Sequence, residues 1–205
     1  DFTGNISTFG GNDTVTLQSG VTLSGILNTG DDNDTVTFLN LSNFSGTLAA
    51  GAGTSDELNF SAYATPRDIR LTAQGAADGY DGNANLLGFS FTDVNVLGGS
   101  TGGADSLSGV PGQDSTWSIA NEAVTTSTYR DTGNTASLAI AGFRDLTGSD
   151  VGNDSFTFLT GAAGTFVING GTGVGNDVLA GTDAVNLTVS QSGGGSGTIG
   201  PAAVT

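Results

Sequence analysis

Residues 30–38, with the sequence GDDNDTVTF, decide the fold. The first half is a tight turn, because Asp and Asn side chains hydrogen-bond to nearby backbone and glycine adopts backbone angles that other residues avoid. The second half alternates apolar Val36 and Phe38 with threonine, which is the period-two pattern of a half-buried strand. The stretch therefore predicts a turn that leads directly into a β-strand.

The same turn recurs along the chain. Its last aspartate returns after 21, 22, 49, 49 and 23 residues. The short spacings suit one coil of a repeat each, and the two long ones suit two coils with longer loops. Residues 35–60 also resemble residues 155–180. We expect the turns of successive coils to stack directly over each other, and their aspartates are Asp13, Asp34, Asp56, Asp105, Asp154 and Asp177.

These repeats predict an all-β fold, a parallel β-solenoid whose coils are roughly 21–23 residues long. Residues 1–205 would form a single elongated segment, which we expect to be a fragment of a longer repeat array. The alternative is a set of tandem β-sandwiches, which have similarly short strands. The two differ in strand direction, since a sandwich pairs its strands antiparallel and does not require equivalent turns to stack.

Composition narrows the function classes. The net charge is -16, which disfavours binding to nucleic acid or to anionic membrane surfaces. The chain contains no Cys, Met, His or Lys, and it has no apolar run long enough for a transmembrane helix. A Gly-, Thr- and Asn-rich acidic chain of this kind indicates a secreted protein, either extracellular or on the cell surface.

Four motifs carry a family resemblance: the Gly-x-Asn-Asp turn, residues 58–63 (LNFSAY), residues 117–119 (WSI) and residues 143–148 (FRDLTG). Together they resemble the repeats of very large secreted bacterial proteins, the haemolysin-type (RTX-like) and filamentous-haemagglutinin-like adhesins. The resemblance implies an exported β-solenoid that serves adhesion, surface structure or biofilm. It also implies Ca²⁺ at the turns, although these turns recur every 21–23 residues and not as consecutive nonapeptides.

The turn aspartates are the candidate metal ligands. Ca²⁺ takes six to eight oxygens, and a cation would relieve repulsion between carboxylates stacked about 4.8 Å apart. Alternatively, each carboxylate hydrogen-bonds its own turn. The asparagines that precede the aspartates are either metal ligands, residues that tolerate left-handed backbone, or members of an internal amide ladder. They are Asn12, Asn33, Asn153 and Asn176. The candidate ligands are Asp31, Asp32 and Asp34, which form the densest acidic turn, and Asp13, Asp56, Asp105, Asp154 and Asp177.

An enzymatic function is the hypothesis that the sequence favours least. A catalytic site is expected to break a repeat, whereas the conceivable acidic pair, Asp93 with Asp145, lies within repeat units. We therefore predict no enzyme, with a polysaccharide lyase or hydrolase as the weakest alternative. Among the aromatic residues, Trp117 alternates with Ile119 in the buried phase, and Tyr80 lies in a polar loop where we expect it to be exposed.

The sequence as a whole predicts a structural extracellular protein, either a stiff repeat segment of a surface adhesin or the body of an extracellular filament. Its expected partners are further copies or repeats of itself, joined end to end, and surface glycans. The competing prediction is a Ca²⁺-stabilised, glycan-binding adhesive module.

Overall fold

A computed structural model describes residues 1–101, 105–121, 126–172 and 175–181, together with the backbone of residues 187–192. These residues are all-β and include no helix, so none that could cross a membrane. The strands of the described residues are β1 Phe2–Thr3, β2 Ile6–Ser7, β3 Thr14–Leu17, β4 Thr22–Asn28, β5 Thr35–Phe38, β6 Asn43–Ala49, β7 Glu57–Asn59, β8 Asp68–Gln74, β9 Tyr80–Ala84, β10 Phe89–Val94, β11 Val96–Gly98, β12 Asp105–Ser108, β13 Ser115–Ile119, β14 Ser127–Asp131, β15 Leu138–Ala141, β16 Phe143–Thr147, β17 Asp154–Phe158, β18 Gly164–Asn169, β19 Val178–Gly181 and β20 Leu187–Ser192.

The strands form two mixed sheets. Sheet 1 has eleven strands in the order β1-β4-β6-β10-β9-β8-β12-β16-β18-β20, with β2 beside β4, and sheet 2 has nine in the order β19-β17-β13-β14-β15-β11-β7-β5-β3. Alternate side chains of both sheets are buried in one hydrophobic core. The apolar face that the period-two pattern predicts is therefore the inner face of each sheet.

At both ends of the described chain, neighbouring strands pair in parallel at the predicted spacing. Strand β4 pairs with β6 from Thr22↔Asn43 to Asn28↔Ala49, an offset of 21 residues. Strands β3 and β5 share the 21-residue offset, β5 and β7 are offset by 22, and β17 and β19 by 23. The similar segments 35–60 and 155–180 also alternate between the sheets in the same order, 2-1-2.

The middle of the chain differs from the prediction of two coils with longer loops. Each long interval contains a three-stranded antiparallel meander, β8-β9-β10 in sheet 1 and β13-β14-β15 in sheet 2. The outer strands of a meander run in the same direction, so each can still pair in parallel with the rest of its sheet. Only β9 and β14 oppose the common direction among the described strands.

Aromatic residues fill the core in two groups. Near the beginning of the chain, Phe38 lies 5.3 Å from Phe89 and 5.1 Å from Phe60, measured between ring centroids. In the middle, Trp117 stacks on Phe156 at 5.3 Å and meets Tyr129 edge-on at 4.6 Å. Aromatic pairs of this kind contribute about 0.5–1.5 kcal/mol each beyond the burial of their area.

Stacked glycines explain part of the high glycine content. Gly4, Gly25 and Gly46 are aligned across three neighbouring strands, and their φ angles lie between 128° and 150°. A Cβ on Gly46 would lie 1.8 Å from the carbonyl oxygen of Gly25, and one on Gly25 would lie 2.2 Å from that of Gly4. Only glycine fits at Gly25 and Gly46, because a side chain would collide with the neighbouring backbone.

Candidate functional site

A row of carboxylates joins turns that lie 21–22 residues apart, at the point where each turn enters sheet 2. The backbone N–H of Asp13 donates to Oδ1 of Asp34 at 2.7 Å, and the N–H of Asp34 donates to Oδ1 of Asp56 at 2.8 Å. The N–H of Asp56 donates to Oδ1 of Asn95 at 2.9 Å. Each side chain thus takes the place of a backbone carbonyl at a corner, and we call Asp13, Asp34 and Asp56 the carboxylate row.

The preceding asparagines form a second row with the opposite direction. The backbone N–H of Asn33 donates to Oδ1 of Asn12 at 3.0 Å, and that of Thr54 donates to Oδ1 of Asn33 at 2.9 Å. Asparagine therefore accepts from the following coil, whereas aspartate accepts from the preceding one. Consecutive N–H groups of a parallel strand point to opposite neighbours, so the Asn-Asp pair continues the ladder through the turn.

The same arrangement returns near the other end of the described chain. The N–H of Asp154 donates to Oδ1 of Asp177 at 3.0 Å, and the N–H of Asn176 donates to Oδ1 of Asn153 at 2.9 Å. The N–H of Asn153 in turn donates to Oδ1 of Asp114 at 2.8 Å. These contacts join each asparagine side chain to a backbone N–H group of a neighbouring turn, whereas an internal ladder would join amide side chains to each other.

The predicted single row of six aspartates is wrong. Asp105 opens β12 in sheet 1, where it accepts hydrogen bonds from the N–H of Arg67 at 2.7 Å and the hydroxyl of Ser100 at 2.7 Å. The first meander displaces the chain at this point, and Asn95 takes the next place after Asp56. Sequence reasoning missed Asn95 because no glycine-rich turn precedes it.

The carboxylate row is buried and incompletely hydrogen-bonded. Asp34 is 2% exposed and Asp56 is 1% exposed. The Oδ2 atoms of Asp13, Asp34 and Asp56 are buried and have no hydrogen-bond partner. Burial raises the pKa of Asp56 to about 6, the hydrogen bond from the backbone of Asp34 opposes this shift, and the nearby charges of Asp34, Asp78 and Asp93 add to it.

Asp154 is the counterpart of Asp56 near the other end of the described chain, where its N–H donates to Asp177. It is 1% exposed, and burial raises its pKa to about 6, with a smaller contribution in the same direction from the charge of Asp177. The hydroxyl of Ser115 and the N–H of Ser149 donate to its two carboxylate oxygens and oppose the shift. Asp56 and Asp154 are therefore two carboxyl groups whose pKa burial raises to about 6.

The densest acidic turn is divided between surface and interior. Asp31 and Asp32 are exposed, whereas Asp34 is buried in the carboxylate row. Asp32 has a φ of 77°, and its Oδ2 accepts a hydrogen bond from the N–H of Gly11 at 3.2 Å. The side chains do bind backbone, as the alternative interpretation has it, but the backbone belongs to the neighbouring coil and not to their own turn.

Across the described ranges, no three His, Cys, Asp or Glu side chains lie together in a group that could hold a metal ion. The acidic pair considered for catalysis is also separated. Asp93 lies on β10 and Asp145 on β16, and three strands of sheet 1 lie between these two.

The tyrosine expected at the surface is buried. Tyr80 is 0% exposed, so the prediction of an exposed Tyr80 is wrong, whereas the predicted burial of Trp117 is confirmed. The Tyr80 hydroxyl donates to Oδ1 of Asp131 at 2.7 Å, and the ring meets Tyr129 edge-on at 5.3 Å. Because Tyr80 lies on β9 and the other two on β14, the two antiparallel strands contact each other through the core.

No protein-family model matches the chain, and neither a curated protein nor a solved structure matches it.

Proposed function

We propose that the chain is a stiff, non-catalytic structural segment of a secreted surface adhesin or extracellular filament, built as a β-solenoid with two meanders inserted. The observation that supports this most directly is the in-register parallel pairing at offsets of 21–23 residues. Each coil buries its apolar face only by stacking on its neighbours, so the stack resists bending through its ladders and its continuous core.

The Asn-Asp corners suit this mechanical role. A turn normally leaves backbone N–H groups without partners, and each such group that is buried costs about 1–3 kcal/mol. In this chain the side chains of Asn33 and Asp56 bind N–H groups of adjacent coils, so that the ladder is not interrupted at the turn. The acidic surface keeps such a stack soluble.

The proposed end-to-end partner, a further copy or repeat of the same kind, has an edge to bind. Within the described part of the chain, β3 pairs only with β5 and β1 pairs only with β4. An edge strand of this kind is a template for one more parallel strand. Sedimentation velocity over a range of concentrations tests this, and we expect association that Thr16→Pro in β3 abolishes.

Pulling the protein from its two termini in an optical trap tests the structural proposal. A stack of coils unfolds unit by unit, so residues 1–59 are expected to extend in steps of roughly 70–80 Å, the extended length of one 21–23-residue coil. The interlocked meanders of residues 68–141 should open later, as one block. One all-or-none extension of the whole chain would contradict the proposal.

A Ca²⁺-stabilised adhesive module is the second candidate, and the buried Oδ2 atoms of the carboxylate row favour it. The carboxylate row presents its free oxygens one after another and not as a cluster. A Ca²⁺ ion takes six to eight oxygen ligands, so backbone carbonyls or water would have to supply the others. Thermal melting with and without millimolar Ca²⁺ tests this. A chelator-reversible rise in Tm supports the module, since a ligand that binds only the folded state stabilises it, and an unchanged Tm counts against it.

A further inference from the structure

Sheet 1 contains a groove where the repeat is broken. Strand β8 runs to Gln74, but its pairing with β12 ends at Arg70↔Ser108, so the last four residues of β8 continue beyond the end of β12. Two hollows of about 500 Å³ and about 320 Å³ lie at this step, and both are lined by Pro111. The larger hollow is also lined by Arg70 and Leu71 and the smaller one by residues 72–74, so the two adjoin along β8, and we call them together the groove.

The floor of the larger hollow is a row of polar residues across four strands. Arg70, Ser108, Thr147 and Asn169 are consecutive register partners on β8, β12, β16 and β18. Neighbouring strands lie about 4.8 Å apart, so hydroxyl and amide groups repeat at that interval along the groove. The smaller hollow continues the polar lining with further amide side chains, Gln74 and Gln113.

The lining favours an uncharged, hydroxyl-rich ligand. Ser, Thr, Asn and Gln side chains both donate and accept hydrogen bonds, as sugar hydroxyls do. The one cation of the row, Arg70, already pairs with Asp68 at 3.5 Å, and the net charge of -16 opposes a polyanion. The long, open shape suits a polymer that lies across several strands.

We propose that this groove binds an extended, neutral oligosaccharide, with its chain perpendicular to the strands of sheet 1. Along the polar row, β8, β12, β16 and β18 are each paired on both sides, so only their side chains are available to a ligand there. A peptide that adds a strand would instead pair with residues 71–74 of β8, which extend beyond β12, and would not cross the row. The binding is a role in addition to the structural one.

Backbone-amide NMR of the full chain with cellotetraose and maltotetraose tests the proposal. We expect chemical-shift changes confined to the groove at millimolar sugar, for at least one of the two. Asn169→Ala and Gln113→Ala should each weaken binding about 2- to 10-fold, the range for one lost hydrogen bond. The matched control is Gln18→Ala, an exposed glutamine in the β3–β4 turn, which should bind as the parent does.

Three outcomes would overturn the proposal: no shifts with either neutral sugar, shifts that the groove variants leave unchanged, or binding only of tetragalacturonate or of an uncharged Gly-Ser peptide. The amide spectra of the variants show in the same experiment whether each is folded. Failure here leaves the stepwise extension of the pulled chain unaffected, so the binding and structural proposals fail separately.

Discussion

The backbone N–H of Asp34 donates a 2.8 Å hydrogen bond to Oδ1 of Asp56, which lies 22 residues further along the chain. Asp56→Ala leaves that buried N–H without an acceptor, and we expect it to lower the free energy of unfolding by about 1–3 kcal/mol. Asp56→Asn keeps Oδ1 and removes a buried charge, so it should be at least as stable as the parent at pH 7. An asparagine already has this role at the next position, where Oδ1 of Asn95 accepts from the N–H of Asp56.

Urea unfolding of the two variants distinguishes the roles of the oxygen and of the charge. The midpoint should fall for Asp56→Ala and hold or rise for Asp56→Asn, with unchanged m-values. If the asparagine variant were as unstable as the alanine one, the negative charge itself would be needed at this corner. A bound cation would be one physical reason for such a need.

Stability should rise as the pH falls from 7 to 5. The pKa of Asp56 and that of Asp154 are both raised to about 6, whereas an unfolded aspartate titrates near 3.9. Between these values the folded state binds more protons than the unfolded state, so the free energy of unfolding increases on acidification through that window. Below about pH 4 these two groups add nothing further.

The gain should be on the order of 1–3 kcal/mol for each group, which urea midpoints at pH 7 and pH 5 measure directly. Asp56→Asn removes one of the two groups and should reduce the difference between the two pH values. A parent protein that is less stable at pH 5 than at pH 7 would mean that the two carboxyl groups are not buried in their ionised form as described.

The parallel ends of the chain could be predicted from sequence, and the meanders could not. A turn as tight as residues 30–34 leaves little freedom, so its spacing fixes the register of the strands that follow it. The alternation of apolar and polar residues identifies the buried face but not the strand direction. The residues of β9, YDGNA, therefore contain nothing that marks the strand as antiparallel.

The carboxylate row was only partly predictable, also because local sequence does not determine how strands are arranged in space. The spacing of Asp34 and Asp56 places them in one row, but nothing in the sequence shows which neighbour each N–H group faces. Asp105 also ends a glycine-rich stretch that precedes a strand, but it lies in the other sheet, because its place depends on how the first meander displaces the chain. Such long-range displacement is a property of the tertiary structure and not of any local motif.

Gly46→Ala should be strongly destabilising. A Cβ at this position would lie 1.8 Å from the carbonyl oxygen of Gly25, and the φ angle of 150° is one that alanine rarely adopts. We expect a loss of about 3 kcal/mol or more in the free energy of unfolding. Gly10→Ala is the matched control, since a Cβ there meets nothing within 4 Å, and its effect should stay within about 0.5 kcal/mol. Equal urea midpoints for the two variants would contradict the stacked-glycine column.

Tyr80 and Asp131 join the two antiparallel strands, and their coupling can be measured. The Tyr80 hydroxyl donates to Oδ1 of Asp131 at 2.7 Å and accepts from the N–H of Asp131 at 3.2 Å. Tyr80→Phe removes both contacts and leaves a buried carboxylate with fewer donors; among the described residues, the side chain of Gln74 still donates to it at 3.3–3.4 Å. We expect a loss of about 1–3 kcal/mol, because a hydrogen bond to a charged group is stronger than one between neutral groups.

A double-mutant cycle of Tyr80→Phe and Asp131→Ala separates this contact from the effects of packing. The two residues touch directly, so their coupling energy should be about 1–2 kcal/mol. Tyr129→Phe provides the comparison, because the Tyr129 hydroxyl accepts from the N–H of Val110, whereas the Tyr80 hydroxyl donates to Asp131. Its cycle with Asp131→Ala should give a smaller coupling energy. Equal coupling in both cycles would mean that the aromatic group as a whole, and not the Tyr80–Asp131 hydrogen bond, holds β9 against β14.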